Sequence, residues 1–591
     1  MKRILLPFLV LVLIATPTLF AQTLMDYVLE VRGDTLVIKD FNDMTQQSNS
    51  LTNALALDTA SVPAGRVYML KVNGYYPLAT NPTTSSLRPT VIVGADATRL
   101  VNNKNASSAP PLICGATIEG GSSNSGQINF ANDLTIKNCN LMPAASDGTL
   151  GWQLFGASAP NCRVFLENDL FEHTRWIFMT ADKPGTKLLW KDCYFVNMSG
   201  QACRRNGGVF DGFSNMDTIL VQNCTHVMAE GSMYKFRNYV YSRIIFNHNT
   251  FINCAGSVFE SLGYESNMSI TNNIFVNSNV QPFMQGILGD ATEVDADGLV
   301  TGLVNVRNFP DPSYPVVPRK ILFEGNVVYW DSRFNDMNTI LDANNVNGYT
   351  AWESQMVIMN SRSQNMFNDN ATYPYLTQGV TYSEVPSFTD SRDLLTAQVD
   401  SIKAFSVGTV DLASTNILSD WRLVNTGALN YIYSDWPIPV DLSYSNANLL
   451  AGATGGFPVG DLNWFPARKA TWAAQEDAEN AVITNALNTG TTTITAVNEA
   501  GTVPLKFQLQ QNFPNPFNPS TKIVFTLPKA SNTRLTVFNE LGQKVATMLD
   551  GYQSAGQHIV TFNGSSLASG TYFYRLEAGS LVSVKKMLLM K

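Results

Sequence analysis

The chain has 591 residues, 47 acidic against 39 basic, and a net charge of -8, with charged residues making up only 15% of it. That balance excludes a nucleic-acid partner, because phosphate binding needs a concentrated basic face. Sparse charge with abundant Asn, Ser, Thr and Gly suits a β-rich extracellular protein of about two to four domains better than a cytosolic helical enzyme.

Lys2-Arg3, an apolar run from Ile4 to Ile14 and the segment Ala15 to Ala21 before Gln22 have the layout of a secretory signal peptide over residues 1–21. The apolar core is too short to span a bilayer, and a small residue precedes the cut. No other stretch approaches the roughly 18 to 20 apolar residues of a membrane-crossing helix. No transmembrane segment is therefore expected after signal cleavage. Residues 22–65 are expected to cap the next domain.

Seven segments then share alternating apolar residues followed by a polar pair: LTIKNCNL from Leu134, VFLENDLF from Val164, LLWKDCYF from Leu188, ILVQNCTH from Ile219, IIFNHNTF from Ile244, MSITNNIF from Met268 and ILFEGNVV from Ile321. Aligned on the polar pair they are offset by 30, 24, 31, 25, 24 and 53 residues, the last being about two periods. Each reads as a short strand by its alternation, and the polar pair as a bend. A strand recurring every two dozen or so residues, without an intervening amphipathic helix, predicts a right-handed parallel β-helix over 66–487, less regular after 331. Equivalent positions then form ladders. Asn249, Asn273 and Asn326 occupy one, with Cys139, Asp169, Cys193 and Cys224 in the earlier coils. Stacked Asn side chains satisfy one another at a bend and a stacked Cys acts as a small buried hydrophobe, so these residues read as scaffold. The seven cysteines, Cys114 to Cys254, leave at least one thiol without an intramolecular partner and show no CxxC spacing.

The repeated NNxF coils resemble the pectin-lyase-like β-helix superfamily, which holds polysaccharide lyases, glycoside hydrolases and non-catalytic surface proteins. Arg66 to Asp96 looks like the entry segment of such proteins, and FPVGDLNWFP, Phe457 to Pro466, resembles a closing motif of related extracellular β-helices. The resemblance implies, for a lyase, an Arg or Lys base and a Ca²⁺ held by carboxylates. Arg175, Lys235 and Arg237 are the candidate catalytic residues. Asp290, Glu293, Asp295 and Asp297, in GDATEVDADG, are the candidate ligands for Ca²⁺, the one cofactor this reading admits. A glycosidase would instead need two facing acids, such as Asp211 and Glu260, whose meeting spacing alone does not fix. His226 and His248 lie inside the coil pattern and read as packed residues.

A Thr- and Gly-rich stretch, 488–502, reads as a linker. From Phe507 alternating strands separated by Pro-Asn, Asn-Glu-Leu-Gly, Ser-Ala-Gly and Ala-Ser-Gly turns predict a small antiparallel β-sandwich, giving an all-β chain. This tail, 503–591, resembles the type A C-terminal sorting domain of the type IX secretion system. The matching positions are Pro514, Asn515 and Pro516 at the first turn, Gly542, Gly570, and the basic end with Lys585 and Lys586. The resemblance implies the type IX secretion machinery as partner and a bacterial protein that is secreted or attached to the outer-membrane surface. The expected function is contact with extracellular polysaccharide. The alternatives are a pectate-lyase-like enzyme acting on an acidic glycan and a non-catalytic adhesive or structural protein.

Overall fold

A computed structural model describes residues 22–59, 62–118, 122–124, 126–143, 153–174, 177–198, 208–280, 302–307, 318–343, 356–408, 436–494, 507–527, 531–553, 556–579 and 581–591. The signal-peptide segment, Arg175, Cys203 and the acidic run Asp290 to Asp297 lie outside them. The chain forms two compact units, divided between Thr493 and Ile494.

The first unit is a parallel β-helix. Its first sheet is made by the repeat segments themselves, stacked in register, so that Leu134, Val164, Leu188, Ile219, Ile244, Met268 and Ile321 form one row. Ile136, Leu166, Trp190, Val221, Phe246, Ile270 and Phe323 form a second row two residues on. Both rows are buried, as alternation along a strand requires when one face meets the core.

The polar pair is the bend, and each member has its own task. The first residue, Asn138, Asn168, Asp192, Asn223, His248, Asn272 or Gly325, sits in the left-handed region with φ between +52° and +70°. Gly adopts that conformation freely, and Asn, Asp and His are the side chains that tolerate it best. The second residue is the ladder rung. Cys139 N–H donates to Asp169 Oδ1 at 2.8 Å, Cys224 N–H to Asn249 Oδ1 at 3.0 Å, Asn249 N–H to Asn273 Oδ1 at 2.9 Å and Asn273 N–H to Asn326 Oδ1 at 2.9 Å. Where a thiol replaces the amide, Cys193 N–H donates to Cys224 Sγ at 3.4 Å. Burial pushes the Asp169 carboxyl well above its ordinary range at the rung that later coils give to Asn. The six described cysteines are all buried free thiols.

The second sheet follows each bend and carries an inward aromatic stack, Phe171, Phe195, His226, Phe251 and Phe275. His226 lies 4.4 Å from Phe195 and 4.3 Å from Phe251, within 12° of parallel to both. Its Nε2 is 2.9 Å from Tyr234 Oη, and burial drives its pKa well below the ordinary value, so it is a neutral ring in the stack. The third sheet is built of strands of three to five residues, Ile128–Phe130, Phe155–Ala157, Ile177–Ala181, Gly208–Gly212, Tyr234–Phe236 and Phe259–Ser261.

At the start, Val28–Arg32 and Thr35–Ile38 form an antiparallel hairpin, and the second of these strands pairs parallel with Val67–Leu70. The helix Ser50–Leu57 adds Leu51 and Ala54 to the same core. Coils continue to Leu376–Gln378 and Thr381–Tyr382. Residues from Trp436 on then lie along the outer side of the second sheet. Trp436, Ile438, Leu449, Val459, Leu462 and Trp464 share a second core with Val227, Ile252, Ile274 and Val327. Both faces of those strands are therefore covered, which is why Thr225–Ala229 and Thr250–Cys254 are buried at every residue. The expected linker from Asn488 begins inside a helix, Glu476–Thr489, because Ile483, Ala486 and Leu487 pack on Leu322 of the first sheet and hold its last turn.

The second unit is an antiparallel sandwich. One sheet comprises Gln508–Leu509, Ser520–Leu527 and Gly556–Asn563, and the other Lys544–Gln553, Ser531–Asn539, Gly570–Ala578 and Leu581–Leu589. Phe525, Leu535, Val537, Tyr574, Leu576 and Met587 are among the residues of its core.

Candidate functional site

The outward positions of the third sheet carry charge. Cross-strand register places Thr180, Asp211, Lys235 and Glu260 on one line over four consecutive coils, between the inward residues Met179, Phe210, Tyr234 and Phe259 on one side and Ala181, Gly212, Phe236 and Ser261 on the other. Asp211, Lys235 and Glu260 are each buried. A desolvated charge is costly unless it is paired and hydrogen-bonded. Asp211 meets that demand with Arg237, whose Nε and Nη2 donate to Oδ1 at 2.6 Å and to Oδ2 at 2.9 Å. The same guanidinium stacks on Phe213, 4.5 Å from the ring centre. Lys235 thus lies in register between two carboxylates, and Arg237 closes a two-pronged clamp on one of them.

The corner after this sheet repeats the pattern. Arg319 donates through Nη2 to Glu265 at 2.7 Å and stacks on Tyr264 at 4.6 Å, while Arg307 reaches Asn238 Oδ1 at 2.5 Å and the Leu262 carbonyl at 2.6 Å. Burial pushes the Glu265 carboxyl up to about 6 against the opposing pull of Arg319. Tyr239, at the same corner, is 36% exposed. Gly263 is required there, since a Cβ would come within 2.4 Å of the Arg237 carbonyl.

Of the catalytic candidates, Lys235 and Arg237 come together with Asp211 and Glu260, while Arg175 lies outside the described residues. Asp290, Glu293, Asp295 and Asp297 also lie outside them. Among the described residues no group of three or more His, Cys, Asp or Glu could hold a metal ion. Glu265 and Arg319 were not singled out by the sequence reading. Arg319 directly precedes the seventh repeat segment, and that position was the available signal.

A second polar cluster fixes the C-terminal segment against the bends. Gly460, with φ +87°, donates its N–H to the Asn272 carbonyl at 2.8 Å. Thr225 donates to Asp461 Oδ2 at 2.7 Å, Asp461 N–H donates to Thr250 at 3.0 Å and Trp464 Nε1 donates to Thr225 at 2.9 Å. Asn463 Nδ2 donates to the Asn223 carbonyl, and Lys469 pairs with Asp192. The GDLNW motif therefore seals the flank of the solenoid at its bends. Next along the chain, Glu479 accepts from Trp472 Nε1 at 2.7 Å and from Asn247 Nδ2 at 3.1 Å, and lies 3.0 Å from His248 Nε2. His248 thus ties its bend to the helix Glu476–Thr489.

In the sandwich, Asn515 Oδ1 accepts from Leu588 N–H at 2.8 Å, and Asn512 Nδ2 and the Thr521 hydroxyl both donate to the Pro514 carbonyl. Gly542, φ +73°, completes a turn in which Asn539 Oδ1 accepts from the N–H groups of Leu541 and Gln543. Gly570 opens the strand that pairs with Leu581–Leu589, and the latter strand carries Lys585 and Lys586.

No curated protein and no solved structure matches the chain. A family model described as a secretion system C-terminal sorting domain matches residues 511–590, the span of this sandwich. The chain is accordingly an exported bacterial protein, secreted or attached to the cell surface, with a parallel β-helix as cargo and a type IX secretion-system sorting domain at its C-terminal end.

Proposed function

We propose that the β-helix contacts extracellular polysaccharide at the corner that follows its third sheet. The observation that carries this reading is the exposed Tyr239 at that corner, with the guanidinium of Arg307 held beside it on Asn238 Oδ1 at 2.5 Å. Guanidinium forks match carboxylates, and exposed aromatic rings cover the apolar face of a sugar, so Arg307 and Tyr239 suit an acidic glycan. The likeness to pectin-lyase-like coils points the same way, as does delivery to the cell surface.

Lyase chemistry is the second reading, and Lys235 is its base candidate. Arg237 is less suited to that role because its Nε and Nη2 are both engaged by Asp211. The test is to mix the mature protein with polyuronates and neutral polysaccharides, with and without Ca²⁺, and to record both electrophoretic retention and the absorbance of an unsaturated uronate. Retention by polyuronates that weakens in Tyr239→Ala is the expected result. A rise in absorbance that disappears in Lys235→Ala would make the protein a lyase. Absence of retention by every polysaccharide would overturn the glycan reading in favour of an adhesive or structural role.

A further inference from the structure

Among the described residues the stack of coils ends, at its N-terminal side, on an unpaired edge. Val28–Arg32 is there the terminal strand of the first sheet, paired with Thr35–Ile38 on one side only. Cross-strand partners share a face, and Val31 lies opposite Leu36, a fully enclosed core residue. Val31 is nonetheless 50% exposed, and Leu29 51%. Met25 and Leu57 add to the same end of the molecule as exposed apolar side chains. The core thus runs out to solvent at this edge.

The backbone there is turned outward as well. The hairpin closes through Gly33 and Asp34 with Arg32 opposite Thr35. In a two-residue hairpin that closing pair exchanges hydrogen bonds, and the next pair does not. Val31, in that next pair, therefore aims its N–H and C=O away from Thr35–Ile38, toward the open side.

The charges on the strand are self-complementary. Glu30 and Arg32 flank Val31 and are about half exposed, with Arg32 Nη2 2.7 Å from Glu30 Oε2. An antiparallel pairing of two copies centred on Val31 sets Glu30 of each against Arg32 of the other and joins the two Val31 residues by a reciprocal pair of hydrogen bonds. It also brings the two Val31 side chains together on the face that Leu36 shares, where the two cores become continuous. A register shifted by one residue would lose both the ion pairs and the shared face.

We infer that this edge is a dimerisation surface whose occupant is a second copy of this chain, the two solenoids meeting end to end through Val28–Arg32. The test is sedimentation of the full mature chain across a concentration series, beside Glu30→Arg and the swap Glu30→Arg/Arg32→Glu. The expected result is a reversible dimer, weakened at least about tenfold by Glu30→Arg, which sets like charges opposite, and restored by the swap, which re-creates the opposite pairs. Circular dichroism checks that the variants, altered at half-exposed side chains, keep the fold. A monomer at every concentration overturns the inference. So does a dimer indifferent to both variants, which would place the contact elsewhere.

Discussion

Asn273 shows how much of a coil rests on one amide. Its Oδ1 accepts from both the backbone N–H and the Nδ2 of Asn249, and its own Nδ2 donates to Asn326 Oδ1 and to the Phe246 carbonyl. Asn273→Ala strands the buried Asn249 N–H and removes a donor from the Phe246 carbonyl and Asn326 Oδ1, and should cost about 2 to 4 kcal/mol in denaturant unfolding. Cys224→Ala removes only a small apolar group and a weak acceptor, and should cost about 1 kcal/mol. Equal losses would contradict the assignment of the Asn positions as hydrogen-bonding rungs. The ladder was legible because a rung repeats with the strand beside it. The Asp211–Arg237 clamp was not, because it joins residues 26 apart through turns of unequal length, and residue spacing carries no register across such turns. His226 was legible as a packed residue, since it falls where neighbouring coils place Phe.

At the scale of elements, the first sheet could be read from its alternation over four or more residues in each repeat strand, whereas third-sheet strands as short as Tyr234–Phe236 offer no period to detect. The helix Glu476–Thr489 escaped notice as a separate element because its apolar residues, Ile483, Ala486 and Leu487, form a narrow stripe in a mostly polar sequence. Its attachment makes stability depend on pH in two opposing ways. For Glu479, burial raises the carboxyl, but the charge of His248 and the hydrogen bonds from His248, Trp472 and Asn247 outweigh it and hold the group below its ordinary range. Its contribution is present above the ordinary carboxyl pKa and is lost as the pH falls through the lower folded value. Asp461 runs the other way, since burial lifts its carboxyl to about 7. The folded state then keeps a proton that the unfolded chain releases from about pH 4 upward, so the contribution of Asp461 is full below that pH and declines until about pH 7. Asp461→Asn cannot ionise. Its stability relative to the native chain should rise between about pH 4 and 7 and then level off, as measured by unfolding at a series of pH values. Parallel profiles would contradict the burial of a titrating group at this joint.

At the scale of the whole molecule, the two units carry different kinds of information. The tail was legible as a family because several short motifs recur in a fixed order over one small domain, and turn residues such as Gly542 sit where the backbone needs them. The β-helix was legible as architecture only, because its repeats record how coils stack. A site on its outer face depends on which few side chains the coil lengths bring into line. Export is the claim on which the rest depends, and its most direct measurement compares the producing bacterium's full chain with a version lacking 511–590, followed by fractionation into periplasm, cell surface and medium. The account predicts the full chain outside the cell and the shortened chain folded but retained in the periplasm. Equal delivery of both to the surface or medium would contradict it.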